Sequence, residues 1–401
     1  MNILQLCSKV PFPSSDGGSL AMHMLTEGLL KLGADVKILS VSTYKHHFNE
    51  THLTEAYKNK TQAEAVFIDT RIKPVDAFIN LFKKESYNIK RFYSKTFDNR
   101  LIEILKKNTF DIVQLETLYM APYVNTIRKY TKAKIVLRSH NTEYKIWERS
   151  AENSKNPLAK WYLNFLAERL KTYELAMINC YDAIATITED DAEIFKLAGC
   201  TKPIITIPFG LDLKNFEISG TTKQEFPSAF HLGAMNWGPN IEGVKWLIEN
   251  VWGKVISQQP SVKLYLAGRF MPDWLIRLNK KNIVVVGEVK SQFEFMQSKG
   301  IMLVPLFAGG GMRVKIIEGM ACGKTIISTT IGAEGVPYEH KKNILIANTA
   351  EEFADHISLC VNNPELYKSI GQNAVQLIKD HFDNNIISLN LFNFYKSILS
   401  Q

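Results

Sequence analysis

The residues of this chain best suited to chemistry lie between positions 305 and 323. There Pro305-Leu306-Phe307-Ala308 is followed by Gly309-Gly310-Gly311, then Met312-Arg313-Val314-Lys315, Glu318 and Gly323. Three successive glycines expose backbone amides with no Cβ in the way, and a helix is expected to follow over Val314 to Ala321, with Gly323 as its stop. Free N–H groups and the dipole at a helix start favour phosphate, and two cations, Arg313 and Lys315, suit a diphosphate. Glu318 borders the apolar stripe Val314, Ile317 and Ala321, so its carboxylate is expected to be partly buried, where an unpaired charge is costly. A polyol such as a ribose would satisfy it. The competing reading is an ordinary salt bridge from Glu318 to Lys315 or Arg313.

Other candidates recur where strands are expected to end. The run Arg138-Ser139-His140-Asn141-Thr142-Glu143-Tyr144 places an imidazole, an amide and a carboxylate just after an apolar stretch. The first loop, Pro11-Phe12-Pro13-Ser14-Ser15-Asp16-Gly17-Gly18-Ser19, precedes a helical stripe of Ala21, Leu25, Leu29 and Leu32. Ser19 fits an N-cap, and Gly17 and Gly18 would let a phosphate approach a helix start; a proline-rich turn that needs glycine is the plainer alternative. In the second half, Gly233 follows His231-Leu232, and Asn240 is placed to cap the helix through Trp246 and Leu247. Arg269 follows Gly268, and Val289 follows Gly287 and Glu288. Glycines at several successive strand ends point to a shared cleft.

These positions need a scaffold, and short β-branched runs alternating with helical patterns supply it. Strands are expected near Ile3–Leu6, Val36–Ser40, Ala65–Ile68, Ile112–Leu115, Ile135–Leu137, Ala183–Ile187 and Ile204–Ile207. A second series runs through Ala229–Leu232, Lys263–Ala267, Ile283–Val286, Ile301–Val304, Thr325–Ser328 and Ile344–Ala347. The fold class is therefore α/β, with two Rossmann-like doubly wound parallel-sheet domains facing a central cleft. The expected divisions are 1–212, a linker over 213–228, 229–380, and a closing helix over 381–401 that packs back on the N-terminal domain. Ile387, Leu391, Phe394, Tyr395 and Ile398 form that helix's apolar stripe.

A length of 401 residues with 46% hydrophobic content can fill two cores. Cys7, Cys180, Cys200, Cys322 and Cys360 show no metal or disulfide spacing, which points to a reducing, cytoplasmic setting. No apolar run approaches a membrane span, and the N-terminus reads as a first strand with no signal peptide. The net charge of +8 implies an anionic partner without selecting one. Zinc-finger spacing and RNA-binding aromatic signatures are missing, so no nucleic acid is expected. Between Arg71 and Lys107, ten basic residues face four acidic ones, with Phe78, Phe82, Tyr87, Phe92, Tyr93 and Phe97 interleaved. Such a helical stretch can lie on an anionic membrane surface, or it can be a solvated helix face with aromatics packed beneath.

Taken in order, these motifs resemble the retaining GT-B glycosyltransferases of family 4, the group 1 glycosyltransferases. The match lies in the Pro-Phe-Pro loop with Gly17-Gly18, the Asp111-Ile112-Val113 strand, His140-Asn141-x-Glu143 and Ile187-Thr188-Glu189. It continues through Ile207-Pro208-Phe209-Gly210-Leu211-Asp212 with Phe216, then Gly309 to Gly323 and Thr329 to Gly335. The resemblance implies a nucleotide diphosphate sugar donor on the C-terminal domain, and a glycan or lipid-linked acceptor on the N-terminal one. It implies transfer with retention, without cofactor or metal, in agreement with the missing D-x-D triplet. Surface polysaccharide or glycoconjugate synthesis at the inner face of the cell membrane would be the setting.

By the same resemblance, His140 and Glu318 are the catalytic candidates, with Glu318 holding the ribose. Arg313 and Lys315 would hold the diphosphate, with Gly17, Gly18, Gly233, Arg269, Val289, Gly309, Gly310 and Gly311 at the donor. Asn141 and Glu143 would touch acceptor or sugar. Gly310 stands eight positions before Glu318, where relatives commonly carry a first glutamate, so a subgroup with G-G-G-x-R-x-K-x-x-E is the better match. Phe209 stands where many relatives have asparagine. A nucleotide-sugar-binding protein without transfer and a GT-B epimerase are the alternatives.

Overall fold

The computed structural model describes residues 1–14, 16–83, 85–216, 224–309 and 311–400. Gly310 lies outside them. The described chain forms two compact units, Met1–Gly210 with Asn384–Gln401, and Leu211–Asp383.

In the first unit seven strands form one parallel sheet: β1 (Asn2–Cys7), β2 (Asp35–Ser42), β3 (Glu64–Phe67), β4 (Ile112–Glu116), β5 (Lys134–Ser139), β6 (Ala183–Thr186) and β7 (Ile204–Thr206). Their order is β3-β2-β1-β4-β5-β6-β7. Both faces are covered by helices, which is why the strands read as near-continuous apolar runs. Alternation along β1 serves the two faces: Leu4 and Leu6 join the core with Phe97, Leu101, Leu115 and Tyr123. Ile3 and Cys7 join the opposite one with Met22, Leu25 and Leu29 of the Gly17–Lys31 helix.

The last helix runs Asn384–Leu399 and sends Ile387, Leu391, Tyr395 and Ile398 into that second core, while Phe394 is only partly buried. Its start is tied down where Asn384 Nδ2 donates to the Met24 carbonyl at 2.7 Å.

The second unit carries β8 (Glu225–Leu232), β9 (Lys263–Ala267), β10 (Ile283–Gly287), β11 (Lys299–Val304), β12 (Ile326–Ser328) and β13 (Leu345–Ile346). They form a parallel sheet in the order β10-β9-β8-β11-β12-β13. Strand β8 starts four residues before the expected Ala229, so the linker expected over 213–228 is shorter than its composition suggests. Pro227 concealed the strand's first half. Of that linker, Leu213–Phe216 form a 3-10 turn, and residues 217–223 lie outside those described.

Three local expectations are corrected. The helical stretch expected from Arg71 to Lys107 is broken into Pro74–Leu81, Tyr87–Lys90 and Lys95–Lys107. Asp16, not Ser19, caps the first helix; Ser19 closes the capping box, with Asp16 accepting from its amide and Asp16 N donating to its hydroxyl, both at 2.9 Å. Asn240 is no cap either: the helix Gly238–Trp246 begins after Trp237, and Asn240 reaches back to the Ala234 carbonyl at 2.9 Å.

Candidate active site

In the second unit, the loop after β8 touches both the glycine-rich segment after β11, at Gly309, and the loop after β9, at Gly268. The helix after that loop runs Val314–Ala321, and the side chains before and within it are bonded away from Glu318. Arg313 Nη1 donates to the Gly311 carbonyl at 2.7 Å, and its guanidinium lies 5.7 Å from the Trp237 ring centre. Gly309 has φ +111°, and a Cβ there would stand 2.9 Å from Arg313 Nη2 and 3.1 Å from the Trp237 ring. This turn therefore requires glycine.

Lys315 Nζ donates to Asn240 Oδ1 at 2.9 Å, joining the helix after β11 to the helix after β8. Burial, with Arg313 adding to it, pulls the Lys315 ammonium down to about 7. Behind it His231 is fully buried on β8, with Nδ1–H donating to the Leu303 carbonyl at 2.9 Å. Burial and the neighbouring Lys315 hold that imidazole neutral, down at about 3. Asn240 packs on Gly233, where a Cβ would meet its Nδ2 at 2.7 Å.

The β8 and β9 loops touch more closely still. Gly268, at φ +151°, would place a Cβ 1.8 Å from the Gly233 carbonyl oxygen. Arg269 follows it, exposed, and its carbonyl accepts from Met235 N at 2.8 Å. Val289 is half-buried two residues beyond β10, and no bond joins it to this cluster among the described residues.

Glu318 stands apart in the same helix. Its carboxylate is half-buried, has no hydrogen-bond or ion-pair partner among the described residues, and burial pushes it up to about 7. The salt bridge to Lys315 or Arg313 is not formed.

In the first unit, the expected cluster gathers at the ends of β4 and β5. His140 Nε2 lies 2.6 Å from Glu116 Oε2, the last residue of β4. Glu143 begins the helix Glu143–Glu152, accepts from Tyr119 OH at 2.9 Å and is bonded by the Asn141 side chain. Glu174, from the helix Pro157–Met177, accepts the Glu143 and Tyr144 amides at 3.0 Å each. Burial pushes Glu143 up to about 7 and Glu174 up to about 8, against those bonds.

Lys9 is the cation that sequence reasoning missed. It bonds the Asp16 carboxylate at 2.7 Å, would clash at 2.7 Å with a Cβ on Gly18, and acts through space on Glu143. Burial opposes the effect, but Lys9 and the bonds around it hold Asp16 down at about 2. Two residues past β1, at a strand's C-terminal edge, is the one signal that would have singled it out.

The Arg71–Lys107 region divides in the structure. Tyr87 and Phe97 are buried, as a solvated face with aromatics beneath requires. By contrast Val75, Ile79 and Phe82 are exposed, as are Leu158 and Trp161 of the Pro157–Met177 helix. Arg169 joins the two helices, donating to the carbonyls of Asn80 at 2.6 Å and Leu81 at 3.1 Å. The side chain of Phe78 lies outside those described. No helix among the described residues is long and apolar enough to cross a membrane.

Two parallel-sheet α/β units, each with its polar groups at strand ends, define the GT-B class. Residues 15–215 match the model of Glycosyltransferase Family 4, and residues 227–363 match Glycosyl transferases group 1. The chain belongs to Glycosyltransferase Family 4 and is a glycosyltransferase by family. A 44.6 kDa protein in the cps region of Klebsiella pneumoniae is 24% identical over 404 residues, covering 97% of this chain and 98% of the relative. A glycosyltransferase of Haemophilus influenzae is 25% identical over 331 residues, covering 78% and 84%. The crystal structure of Anabaena HepE in complex with UDP covers 99% of this chain and 100% of its own, with TM-score 0.65 at 13% identity. That likeness is one of fold.

Proposed function

We propose that this protein transfers a sugar from a nucleotide diphosphate sugar to a glycan or lipid-linked acceptor, with retention at the anomeric carbon. The observation that carries the reading is Glu318, a half-buried carboxylate with no partner among the described residues, three positions beyond the Lys315 cation. A carboxylate left unsatisfied in the empty protein is what a ribose diol would complete. UDP in the HepE complex supports a nucleoside diphosphate as the donor's leaving group.

In this reading the acceptor oxygen bonds to the anomeric carbon as the bond to the diphosphate oxygen breaks. The acceptor proton passes to the leaving diphosphate. Negative charge grows on that oxygen, and Arg313 and Lys315, with the amides of the glycine-rich loop, stabilise it. The arriving dianion would restore the proton that burial loosens on Lys315. His140 orients the transferred sugar, and Glu143 and Asn141 meet the sugar or acceptor. Loss of the first motif glutamate at Gly310 shifts the sugar contact to other groups.

The exposed apolar residues Val75, Ile79, Phe82, Leu158 and Trp161, with the exposed cations Lys73, Lys83 and Lys90 in the same stretch of chain as the first three, would rest on an anionic membrane that carries the acceptor. The Klebsiella relative's place in a cps region supports a role in surface polysaccharide synthesis.

The test is a panel of nucleotide sugars, with nucleoside diphosphate release followed with and without acceptor lipid extract. Release that Glu318→Ala abolishes supports transfer. Tight donor binding with no turnover would make the protein a nucleotide-sugar binder, and an isomerised donor without acceptor would make it an epimerase.

A further inference from the structure

The histidine in the first unit ends a buried chain of polar side chains that reaches the last helix. Tyr395 OH donates to Gln114 Oε1 at 2.5 Å, Gln114 Nε2 donates to Glu116 Oε1, and Glu116 Oε2 takes the bond from His140 at 2.6 Å. Tyr395, Gln114 and Glu116 are each fully buried, and His140 is nearly so. Arg138, on the neighbouring strand, supplies the counter-charge. It is itself held by the carbonyls of Thr186 and Ile207, each taking a bond from Nη1, and by that of Pro208.

The chain has a direction. A carboxylate only accepts, so with Gln114 feeding one oxygen, the other must accept Nε2–H of His140. In the neutral imidazole that leaves Nδ1 as the lone-pair nitrogen, and Nδ1 has no partner among the described residues. The backbone beside Glu116 is strained to hold this arrangement. Thr117, β-branched, sits at φ +82°, where non-glycine residues are rarely found, and its amide is bonded to the Arg138 carbonyl at 3.0 Å.

We propose that Glu116 is a positioning residue: it locks His140 in the Nε2–H tautomer, so that Nδ1 faces the bound sugar as an acceptor of a hydroxyl proton. Tyr395 and Gln114 hold Glu116 in turn, which makes the final helix part of the transfer site. The inference rests on the transferase reading for the identity of the sugar, but the tautomer is independent of it.

Two measurements on the full chain separate the claims. Histidine-selective 15N labelling, with the His140 signals assigned through His140→Asn, reads the tautomer directly. The wild type should carry its proton on Nε2. In Glu116→Gln the new amide competes to donate toward the ring, so His140 should move to Nδ1–H, and kcat should fall by roughly 10–100-fold with the donor KM within about threefold. Tyr395→Phe, which removes one hydroxyl and keeps the ring, should move both readouts the same way by a smaller step of about two- to fivefold in kcat.

A wild-type His140 protonated on Nδ1 overturns the proposal, as does Glu116→Gln with tautomer and kcat unchanged. If Glu116→Gln does not fold, the wild-type tautomer and Tyr395→Phe still decide. If no nucleotide sugar is turned over by the wild type, the transferase reading fails, and the 15N spectra alone decide whether Glu116 sets the tautomer.

Discussion

Lys315 and Asn240 are 75 residues apart in sequence, and their side chains meet at 2.9 Å between two helix starts of the second unit. The bond holds the one ammonium of the glycine-rich segment off Glu318 and directs it to the helix after β8, near the buried His231.

Lys315→Met should separate binding from stability. A nucleoside diphosphate should bind roughly 10–100-fold more weakly, as loss of one charge-assisted bond predicts. Burial holds the folded pKa near 7, below the unfolded value of 10.5, so the folded protein pays to keep this proton at acid and neutral pH. The variant should therefore be more stable than wild type below about pH 7, by on the order of 1–3 kcal/mol, and the gain should shrink between about pH 7 and 10.5. Calorimetric titration and denaturant melts across pH check the two halves.

Glu318 carries the opposite sign of charge and the opposite pH window. Its folded pKa is raised to about 7 from 4.5, so the folded state binds its proton more tightly and stability is lost as pH rises through that interval. Glu318→Gln should leave the unfolding free energy unchanged below about pH 4.5 and raise it above about pH 7, by roughly 1–3 kcal/mol, while donor binding is lost. A variant that is less stable at pH 8 would show that the carboxylate has a structural partner.

Gly268→Ala tests the contact between the β8 and β9 loops. The new methyl would stand 1.8 Å from the Gly233 carbonyl at a φ of +151°. A loss of about 2 kcal/mol or more is expected in urea melts, with weaker nucleotide binding because Gly233 and Asn240 must move.

The exposed apolar residues near Arg169 predict lipid-dependent behaviour. Phe82→Ser combined with Trp161→Ser should cut partition to anionic vesicles by at least about tenfold and leave turnover of a water-soluble acceptor analogue unchanged. Zwitterionic vesicles should bind little, and added salt should release the wild type. Equal binding of the double variant and wild type would remove the membrane reading.

The strands were legible in the sequence because the central ones are covered on both faces and read as short apolar runs, and because even the edge strand β10, with Val284 and Val286 exposed, is built from β-branched residues. The helix Val314–Ala321 was equally plain, with its apolar stripe and Gly323 at its end. Edges were harder. Strand β8 hid its first residues behind Pro227, and Ser19 and Asn240 fit caps by residue type alone, whereas capping depends on which polar group the backbone turns toward.

What the sequence determined by itself is the pair of parallel sheets, the closing helix, and the presence of His140 just beyond β5 and of Arg313, Lys315 and Glu318 at the start of and within the helix after β11. These follow from periodicity and from glycines and charges at fixed offsets, which act over a few residues. Tertiary structure decided the partners: Lys315 with Asn240, Lys9 with Asp16, and Glu116 with His140, separated by 75, 7 and 24 positions. A buried charge takes whichever group the fold brings within about 3 Å, and burial then sets its proton affinity. Glu318 is the counterexample that gives the site its meaning, since the fold half-buries it and brings it no partner among the described residues.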